Sequence, residues 1–424
     1  TLNLTSDPNL NRAINKITMG DGSVKFVEQN LLNTDLTLNL SQNIPWTGGS
    51  LFLETSAQRM DLFSEHKYSW QTSPIMIGYR QSLFGYNSLK WDKRIEPVRY
   101  QEAKKSYVET LELVSANAIN KFFALATAQS NYDIASFNYA NADTLYRYAQ
   151  GRYNIGTITE NEMLQLELNR LTEETNRMNA RIEMDNCMQE LRSYLGIQEE
   201  REIRVRVSSR IPDFSINLNE ALALAYENSP DIQTMKRRKL ESESAVARAR
   251  ANAGLKADIY LRFGLTQTAD KLPEAYRNLL DQQYVSLSIS LPILDWGRGK
   301  GQVRVARSNR DLVYTQVEQN RTDFELNVRK LVKQFNLQTQ RVRIAARTDE
   351  TAQRRNEVAR KLYILGKSTI LDLNASISEK DSARRNYVSA LYNYWSLYYT
   401  LRSMTLYDFE SNKLLTEDYN LLIE

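Results

Sequence analysis

Residues 361–374 read KLYILGKSTILDLN, and residues 152–164 read RYNIGTITENEML. Each stretch places a glycine, Gly366 or Gly156, between two long helical patterns. Glycine most readily takes the positive φ at which a helix ends and the chain reverses. Thr369 and Asp372, like Thr159 and Glu162, suit the cap and first turn of the outgoing helix. One such corner is a weak signal, but two corners 210 residues apart are a strong one.

The offset of 210 residues continues upstream without a gap. The corresponding positions are mostly apolar: Leu83 with Ile293, Phe84 with Leu294, Tyr86 with Trp296, Ala118 with Val328, Phe122 with Val332 and Leu125 with Phe335. Solenoid repeats have periods of about 20–50 residues, so this spacing is of another kind. It predicts a duplicated half-protein made of strand, long helix, tip and shorter helix.

Composition favours long elements and argues against several functions. The 424 residues include 15 Gly and 8 Pro, and the net charge is +4 with both signs mixed along the helices. This balance argues against a nucleic-acid binder. Cys187 is the single cysteine and His66 the single histidine, so we expect a packed free thiol and a loop histidine.

The first 86 residues read as strands and loops. We expect strands at Thr1–Ser6, around Leu36–Ser41, from Leu51, and over Ser73–Phe84, with a turn at Pro45–Gly49. The polar residues 7–33 and 60–72 are predicted to be long exposed loops. In the second half, alternation predicts strands at Ile259–Thr266 and Val285–Leu291, separated by a polar loop at Gln267–Gln282.

Five helical segments account for most of the remaining chain. The pattern from about Asn87 to Gln150 steps by three and four, as in a coiled coil, and would be roughly 95 Å long. The other helices are predicted near Glu160–Tyr194, Leu218–Ala253, Gly301–Lys361 and Thr369–Met404. The helix at Leu218–Ala253 is interrupted at Asn228–Pro230. The alternating segment Ile203–Val207 is predicted to be a short strand.

The strand pattern allows two interpretations. One face is rich in Leu, Ile and Val and the other in Ser, Thr and Asn, as in a soluble sheet with one buried face. However, the polar face is small and uncharged, and aromatic residues cluster at strand ends, at Trp46, Trp70, Tyr79, Phe84 and Trp296. Both features, with strands about ten residues long, favour a transmembrane β-barrel. Two to six strands cannot close a barrel alone, so this interpretation requires several copies.

No motif for catalysis or cofactor binding is found. Gly297–Gly301 reads GRGKG and favours a flexible joint over a nucleotide site, because the spacing of a phosphate loop is missing. Glu162 and Asp372 could form an acid–base pair, but nothing else in the sequence supports an enzyme. The tyrosine-rich segment from Tyr387 to Tyr399 favours packing over a ligand platform. We therefore expect no enzyme activity, cofactor or metal.

The two tips resemble those of the TolC family of outer-membrane efflux proteins. RYNIGTIT, LYILGKST followed by LDL, the strand end SLPILDWGRGKG and the segment NLNEALALAYENSPDIQ carry the resemblance. It implies an α+β membrane protein: a homotrimer with an outer-membrane β-barrel, surrounded by outer-membrane lipid and continued by a periplasmic α-helical coiled-coil barrel. It also implies an outer-membrane exit duct for a tripartite efflux or type I secretion system, with a periplasmic adaptor and an inner-membrane pump as partners.

The resemblance also assigns regions of the chain. Barrel strands with extracellular loops would occupy 1–86, and the first periplasmic hairpin 87–195. They would be followed by an equatorial connector over 196–217, a helix leading to the barrel over 218–253, further strands over 254–296, the second hairpin over 297–405 and an equatorial tail over 406–424.

At the tips, the resemblance assigns functional residues by position. The residues implied to contact the adaptor are Tyr153, Gly156, Thr157, Tyr363, Gly366 and Lys367. The residues implied at the aperture, or gate, are Glu162 and Asp372. Where the family has a second acid, this chain has Ala375, and where the family has an aperture arginine, this chain has Ser368. The resemblance therefore implies that the polar contacts of the gate are altered.

Two further departures lead to expectations about the barrel and the chain start. The repeat predicts a helix before Thr1, equivalent to Leu218–Ala253. The Pro45–Gly49 turn adds a hairpin, which would give six strands per chain and eighteen per trimer, against the usual family count of four and twelve; the hairpin could instead fold at the barrel base. The rival functions are a periplasmic adaptor, which has one hairpin tip, and another structural coiled-coil protein.

Overall fold

The computed structural model describes residues 1–18, 20, 22–63, 65–199, 202–365 and 367–415. Its strands are β1 (Leu2–Thr18), β2 (Val24–Ile44), β3 (Gly49–Leu62), β4 (Lys67–Ser82), β5 (Lys256–Ala269), β6 (Leu280–Ser290), β7 (Tyr407–Asp408) and β8 (Lys413–Leu414). Its helices are α1 (Ser88–Asn154), α2 (Glu160–Leu195), α3 (Leu218–Asn228), α4 (Pro230–Ala253), α5 (Arg298–Ile364) and α6 (Ile370–Thr405), with a 3₁₀ turn at Glu274–Tyr276. The chain divides into one unit of Thr1–Tyr100 with Met235–Glu318 and another of Gln101–Thr234 with Gln319–Glu424.

The first unit contains a six-stranded antiparallel sheet in the order β1-β2-β3-β4-β5-β6. The strands are longer than expected, and the predicted loops at 7–33 and 60–72 are wrong. Residues 7–18 continue β1 and residues 24–33 continue β2, where Asn9 pairs with Asn33 and Leu10 with Leu32. Likewise, β3 runs to Leu62 and β4 starts at Lys67. The polar composition suggested loops, but backbone pairing between these residues completes their ladders.

Prolines in the sheet lie where a missing N–H group is tolerated. Pro8 lies in β1, which is an edge strand, and Pro74 lies where β4 shifts register against both neighbours. Edges and bulges are the positions in a sheet that accept proline. The predicted polar loop at Gln267–Gln282 is shorter than expected, because β5 extends to Ala269 and β6 begins at Leu280.

The predicted long helices are confirmed, with ends within a few residues of their predicted positions. The helices α1 and α5 each have 67 residues and begin 210 positions apart, and α2 and α6 each have 36 residues at the same offset. The predicted interruption is also confirmed, since α3 ends at Asn228 and α4 begins at Pro230. Proline suits the first helical position because its missing N–H group would have had no partner there.

Aromatic packing forms much of the core of the second unit, as predicted for the tyrosine-rich segment. Tyr394 and Tyr398 are fully or almost fully buried beside Phe335, with ring centroids 5.2 and 6.0 Å from it. The Tyr394 hydroxyl donates to the Pro212 carbonyl at 2.9 Å. Burial raises the pKa of both tyrosines, so they remain neutral. Buried tyrosines of this kind combine a large apolar area with one satisfied polar group.

The predicted strand at Ile203–Val207 is wrong: the segment is extended but pairs with no strand among the described residues. The side chain of Gln129 takes the place of a neighbouring strand. Its Nε2 donates to the Ile203 carbonyl at 3.0 Å, and its Oε1 accepts from the Val205 N–H at 3.2 Å. Ile203 and Val205 pack beside Leu125 and Leu191, which explains the alternating pattern.

A buried charge cluster holds the carboxyl-terminal β7–β8 hairpin in the second unit. Arg402 Nη2 donates to Glu112 Oε1 at 3.0 Å, and Arg402 Nη1 lies 3.5 Å from Asp408 Oδ2. The hydroxyl of Tyr398 also donates to Asp408.

None of the described helices is long and apolar enough to cross a membrane.

Candidate functional site: the two hairpin tips

The first tip, between α1 and α2, closes in a way that its sequence explains. Gly156 has φ +74°, and its N–H donates to the Tyr153 carbonyl at 2.8 Å. The Thr157 N–H then donates back to the Arg152 carbonyl at 2.9 Å. This pair of bonds is the usual helix ending in which glycine takes the left-handed position. A Cβ added to Gly156 would meet nothing within 4 Å, so the requirement for glycine comes from its backbone conformation.

A reciprocal capping arrangement starts the outgoing helix at each tip. Thr159 Oγ1 accepts from the Glu162 N–H at 3.3 Å, while the Thr159 N–H donates to Glu162 Oε2 at 2.8 Å. Thr369 and Asp372 make the same pair of bonds at 3.2 and 3.4 Å. These bonds satisfy helix N–H groups that have no partner within the helix. The capping function expected for the two threonines is thus confirmed.

The second tip, between α5 and α6, repeats the closing bond of the first. The Lys367 N–H donates to the Leu362 carbonyl at 2.9 Å, which corresponds to the Thr157 bond 210 residues earlier. Gly366 itself lies outside the described residues. Ser368, where the family has an arginine, points its hydroxyl at Asp372 Oδ2, at 3.3 Å.

The electrostatics of the two tip carboxylates follow from these bonds. Hydrogen bonds from the Thr159 N–H and hydroxyl lower the pKa of Glu162. Hydrogen bonds from the Thr369 hydroxyl and N–H lower the pKa of Asp372 in the same way. Both carboxylates are exposed and ionised at neutral pH, near the positive end of a helix dipole. In one chain, each is directed back onto its own helix.

Large apolar side chains remain exposed around both tips. Ile155 is 73% exposed in the first tip, and Leu371 is 74% exposed just after the second. Tyr153 and Leu365 are exposed as well. Tyr363, by contrast, is half-buried beside Leu373 in an apolar cavity of about 190 Å³ between α1, α5 and α6. The predicted adaptor-contact residues that the structure describes thus divide into an exposed group and one, Tyr363, that faces inward.

Two apolar stripes were missed in the sequence. On α2 the exposed residues Leu164, Leu168, Leu171, Met178 and Ile182 follow the three-and-four spacing of a coiled-coil seam. On the last part of α5, exposed apolar residues recur at multiples of seven, at Leu337, Ile344 and Val358. The heptad signal was present in the sequence, but only the structure shows that these stripes are unburied in the single chain.

The sheet carries a second exposed apolar surface. Cross-strand register places Leu38, Leu53, Ile77, Phe263 and their neighbours on one face, where 40–50% of each of these four side chains is exposed. The opposite face has Asn39 and Ser286, but also charged and aromatic residues such as Glu54, Arg80 and Tyr260. The prediction of a small, uncharged polar face is therefore wrong, because alternation sorts residues by face without limiting their size or charge.

No group of three or more potential metal ligands occurs within the described residues. Cys187 is free and half-buried, and burial is the largest of the effects that raise its pKa. His66 lies in the turn between β3 and β4, as expected. Neither residue belongs to the tips.

Residues 221–405 match the family model of outer membrane efflux proteins. Three solved structures share the fold. The CmeC outer membrane channel of Campylobacter jejuni has a TM-score of 0.69 at 15% identity, covering 100% of this chain and 80% of that one. The outer membrane protein VceC of Vibrio cholerae has 0.65 at 13%, covering 96% and 87%. The Neisseria gonorrhoeae MtrE outer membrane channel, in its open state, has 0.64 at 13%, covering 87% and 81%.

A comparison of the sequence with curated proteins finds no match. The resemblance predicted from the two tips is confirmed by the family match and by the shared fold. The mixed fold of a helical part with a sheet is confirmed as well.

Proposed function

We propose that this chain, whose residues 221–405 match the family model of outer membrane efflux proteins, is the outer-membrane exit duct of an efflux system. The observation that carries the proposal is the sheet, which has one extensive apolar face left exposed and two unpaired edges. In water such a face and such edges favour aggregation. In a bilayer the same face contacts lipid, and the edges pair with other copies.

The exposed face suits the hydrocarbon layer in both composition and height. Eight residue steps of β3 separate Leu51 from Arg59 on this face. At about 3.3 Å per residue they span roughly 26 Å along the strand, and these nine residues match the length of about 9–11 residues that a tilted transmembrane strand needs. The guanidinium of Arg59 lies 5.3 Å from the ring of Tyr68 and 5.7 Å from that of Trp70. Aromatic rings with a cation are typical of the membrane interface.

Closure of the sheet supports a homotrimer, as implied for the family. β1 and β6 are the two edges of the six-stranded sheet, and a strand edge exposed to lipid would leave backbone groups without partners. Pairing β1 of one copy with β6 of the next removes both edges. Three copies would contribute eighteen strands, with the Pro45–Gly49 hairpin included in the barrel wall.

The apolar stripes on α2 and α5 support the same assembly in the helical part. In each chain α5 runs towards its tip and α2 runs away from one. Both stripes lie within about 30 residues of the tips and have coiled-coil spacing. An antiparallel contact between α2 of one copy and α5 of the next would bury both. The equal lengths and constant offset of the two hairpins support an internal duplication, so that six similar hairpins would form the periplasmic barrel.

The tips are then the surface for a periplasmic adaptor, which would connect the duct to an inner-membrane pump. Exposed Ile155, Leu365 and Leu371 offer apolar contacts, and Lys367 offers a charge. Gating is proposed as a shift between two packings of the hairpins at this end. Glu162 and Asp372 would line the aperture, where carboxylates favour cations.

The first test is the oligomeric state and shape of the detergent-extracted protein. Native mass spectrometry should give three times the 49.1 kDa of one chain, and negative-stain images should show a hollow rod. The protein should fractionate with the outer membrane. A monomer that needs no detergent would contradict the proposal.

The gate is tested separately. Asp372→Asn keeps an oxygen that can accept the capping bonds from Thr369 but removes the charge. We expect reduced cation selectivity of single channels, measured as a shift in reversal potential in a KCl gradient. Unchanged conductance and selectivity would refute an aperture role for Asp372 while leaving the exit duct intact.

A further inference from the structure

The polar face of the sheet carries a group of aromatic and arginine side chains, which we call the arginine–aromatic group: Phe52, Arg80, Tyr260, Arg262 and Tyr284. They occupy two adjacent rows of the sheet. In one row, residue 52 pairs with 78, 78 with 262 and 262 with 284. In the next, residue 80 pairs with 260 and 260 with 286. Register therefore brings side chains from four strands together.

The rings of this group contact one another in a fixed arrangement. Phe52 and Tyr260 stack with centroids 5.9 Å apart and planes 20° apart. Tyr260 and Tyr284 meet edge to face at 5.8 Å and 66°. The guanidinium carbon of Arg80 lies 5.3 Å from the centre of the Tyr260 ring. Tyr260 is thus already engaged by three neighbours, while Tyr284 is 53% exposed.

A glycine makes this arrangement possible. A Cβ at Gly78 would lie 2.0 Å from Cζ of Phe52, much closer than two non-bonded carbon atoms can approach. The Phe52 ring therefore lies directly over Gly78 and can reach across β4 towards Tyr260. Aromatic side chains that cover a strand glycine in this way stabilise the sheet locally. The position of Phe52 is consequently set by the sequence of the neighbouring strand.

The two guanidinium groups keep unused hydrogen-bond donors. Arg262 Nη2 lies 3.6 Å from Glu54 Oε1, and Glu54 also accepts from Asn39 Nδ2 at 3.4 Å. Arg262 Nε is buried and has no hydrogen-bond partner among the described residues. For Arg80, no carboxylate of the described chain lies within ion-pair distance. An arginine has five N–H donors, so both side chains can still bind an acceptor.

Every member of the arginine–aromatic group except Phe52 lines a shallow pocket of about 580 Å³, together with Asp258, Ile259 and Ser286. This volume lies within the range of about 300–1,000 Å³ of small-molecule sites. The charge pattern favours an anion over a cation. Glu54 is already held by Arg262, and the cation position over Tyr260 is taken by Arg80. Asp258 adds one carboxylate to the lining, but the two guanidinium groups outnumber it beside the exposed ring of Tyr284.

We propose that the arginine–aromatic group binds planar aromatic anions. The carboxylate or sulfonate of such a compound would accept charge-assisted hydrogen bonds from Arg80 and Arg262, while its ring contacts Tyr284. This inference rests on the proposed function, in which the polar face lines the lumen of the duct. It assigns to the duct a contact site for one chemical class of exported compound.

Binding is tested by isothermal titration of naphthalene-2-sulfonate into the detergent-solubilised assembly. We expect Arg80→Gln and Tyr284→Ala to weaken binding about tenfold or more, and Arg80→Lys to weaken it less, because lysine keeps the charge but loses the planar fork. Naphthalen-2-ylmethylammonium, with the opposite charge, should bind more weakly than the sulfonate. The matched control is Arg59→Gln, which removes an arginine that also lies over tyrosine, but on the apolar face.

Three results would overturn the proposal: equal affinity of Arg80→Gln and the unchanged protein, an equal loss in Arg59→Gln, or tighter binding of the ammonium compound. Native mass spectrometry of each variant excludes disassembly as the cause. A parallel measurement of bilayer conductance separates the two proposals. Conductance without sulfonate binding refutes the contact site alone. Binding that depends on Arg80 in a protein that never conducts refutes the duct and leaves the site.

Discussion

Loss of Arg402 should release the carboxyl-terminal hairpin. The side chains of Glu112, Arg402 and Asp408 are 10%, 16% and 19% exposed, so all three charges are largely removed from water. Among the described ion pairs, Arg402 is the only cation that pairs with Glu112 or Asp408. Arg402→Met keeps much of the apolar stem and leaves two carboxylates without it.

The size of the effect follows from the difference between the two acids. Asp408 keeps the Tyr398 hydroxyl and the N–H group of Glu410, at 3.0 Å from its Oδ1. Glu112 loses its pairing with Arg402, in which Oε1 lies 3.0 Å from Nη2 and Oε2 lies 2.9 Å from Nε. Breaking a buried pair costs about 3–5 kcal/mol. Because some exposure remains, we expect about 3 kcal/mol, or about a hundredfold in a local opening equilibrium.

Hydrogen exchange followed by mass spectrometry measures that opening. Amides in the last turns of α6 and in residues 407–414 should exchange about a hundredfold faster in Arg402→Met. The double variant Glu112→Gln with Arg402→Met should recover at least half of the lost protection, because a neutral amide replaces the unpaired charge. Unchanged exchange in the single variant, or no recovery in the double variant, would refute the view that this cluster holds the hairpin.

Three further predictions concern the hairpins. Gly156→Ala should destabilise the first tip by about 1 kcal/mol, seen as faster amide exchange there, because alanine is strained at φ +74°; equal exchange would contradict this. Leu168→Glu should weaken the trimer in native mass spectra while Glu167→Gln, at the half-buried neighbouring position, does not, if α2 carries the intermolecular seam. The folded-state pKa values of Glu162 and Asp372 are lowered. Their capping bonds therefore stabilise the tips at pH values above the unfolded-state pKa of about 4, and this stabilisation is lost as the pH falls through the folded-state pKa values. Protection of the tip amides, corrected for the intrinsic exchange rate at each pH, should therefore fall below about pH 4. It should fall less in Thr159→Ala, which already lacks the two hydrogen bonds between the Thr159 side chain and Glu162.

The helical part could be predicted from sequence because its signals are local. Three-and-four spacing, the scarcity of glycine and proline, and the cap at Thr159 each act within one or two turns. The sheet was harder, since a polar residue such as Asn9 is compatible with a loop until its partner Asn33 is known. The arginine–aromatic group could not be predicted for the same reason. Alternation gives the face on which Arg80 lies, but only the register shows that Tyr260 is its neighbour.

The same limit explains the interpretation of the tip carboxylates. The family pattern implies that Glu162 and Asp372 face an aperture, which is a relation between copies of the chain. Within one chain, the strongest interactions of each are with the threonine three residues before it. The two roles are compatible, because a carboxylate has about four acceptor positions and the cap uses only some of them.

Three of the exposed apolar surfaces among the described residues call for different partners. The face around Leu38 and Leu53 is broad and two-dimensional, which suits lipid. The stripes on α2 and α5 are narrow and periodic, which suits another helix. The patches at Ile155 and Leu371 are small and lie at chain reversals, which suits a transient protein contact. Detergent can replace lipid on the first surface but not a helix on the second. Extraction should therefore leave the trimer intact and release the partner at the tips, and this order of loss follows from the shapes of the three surfaces.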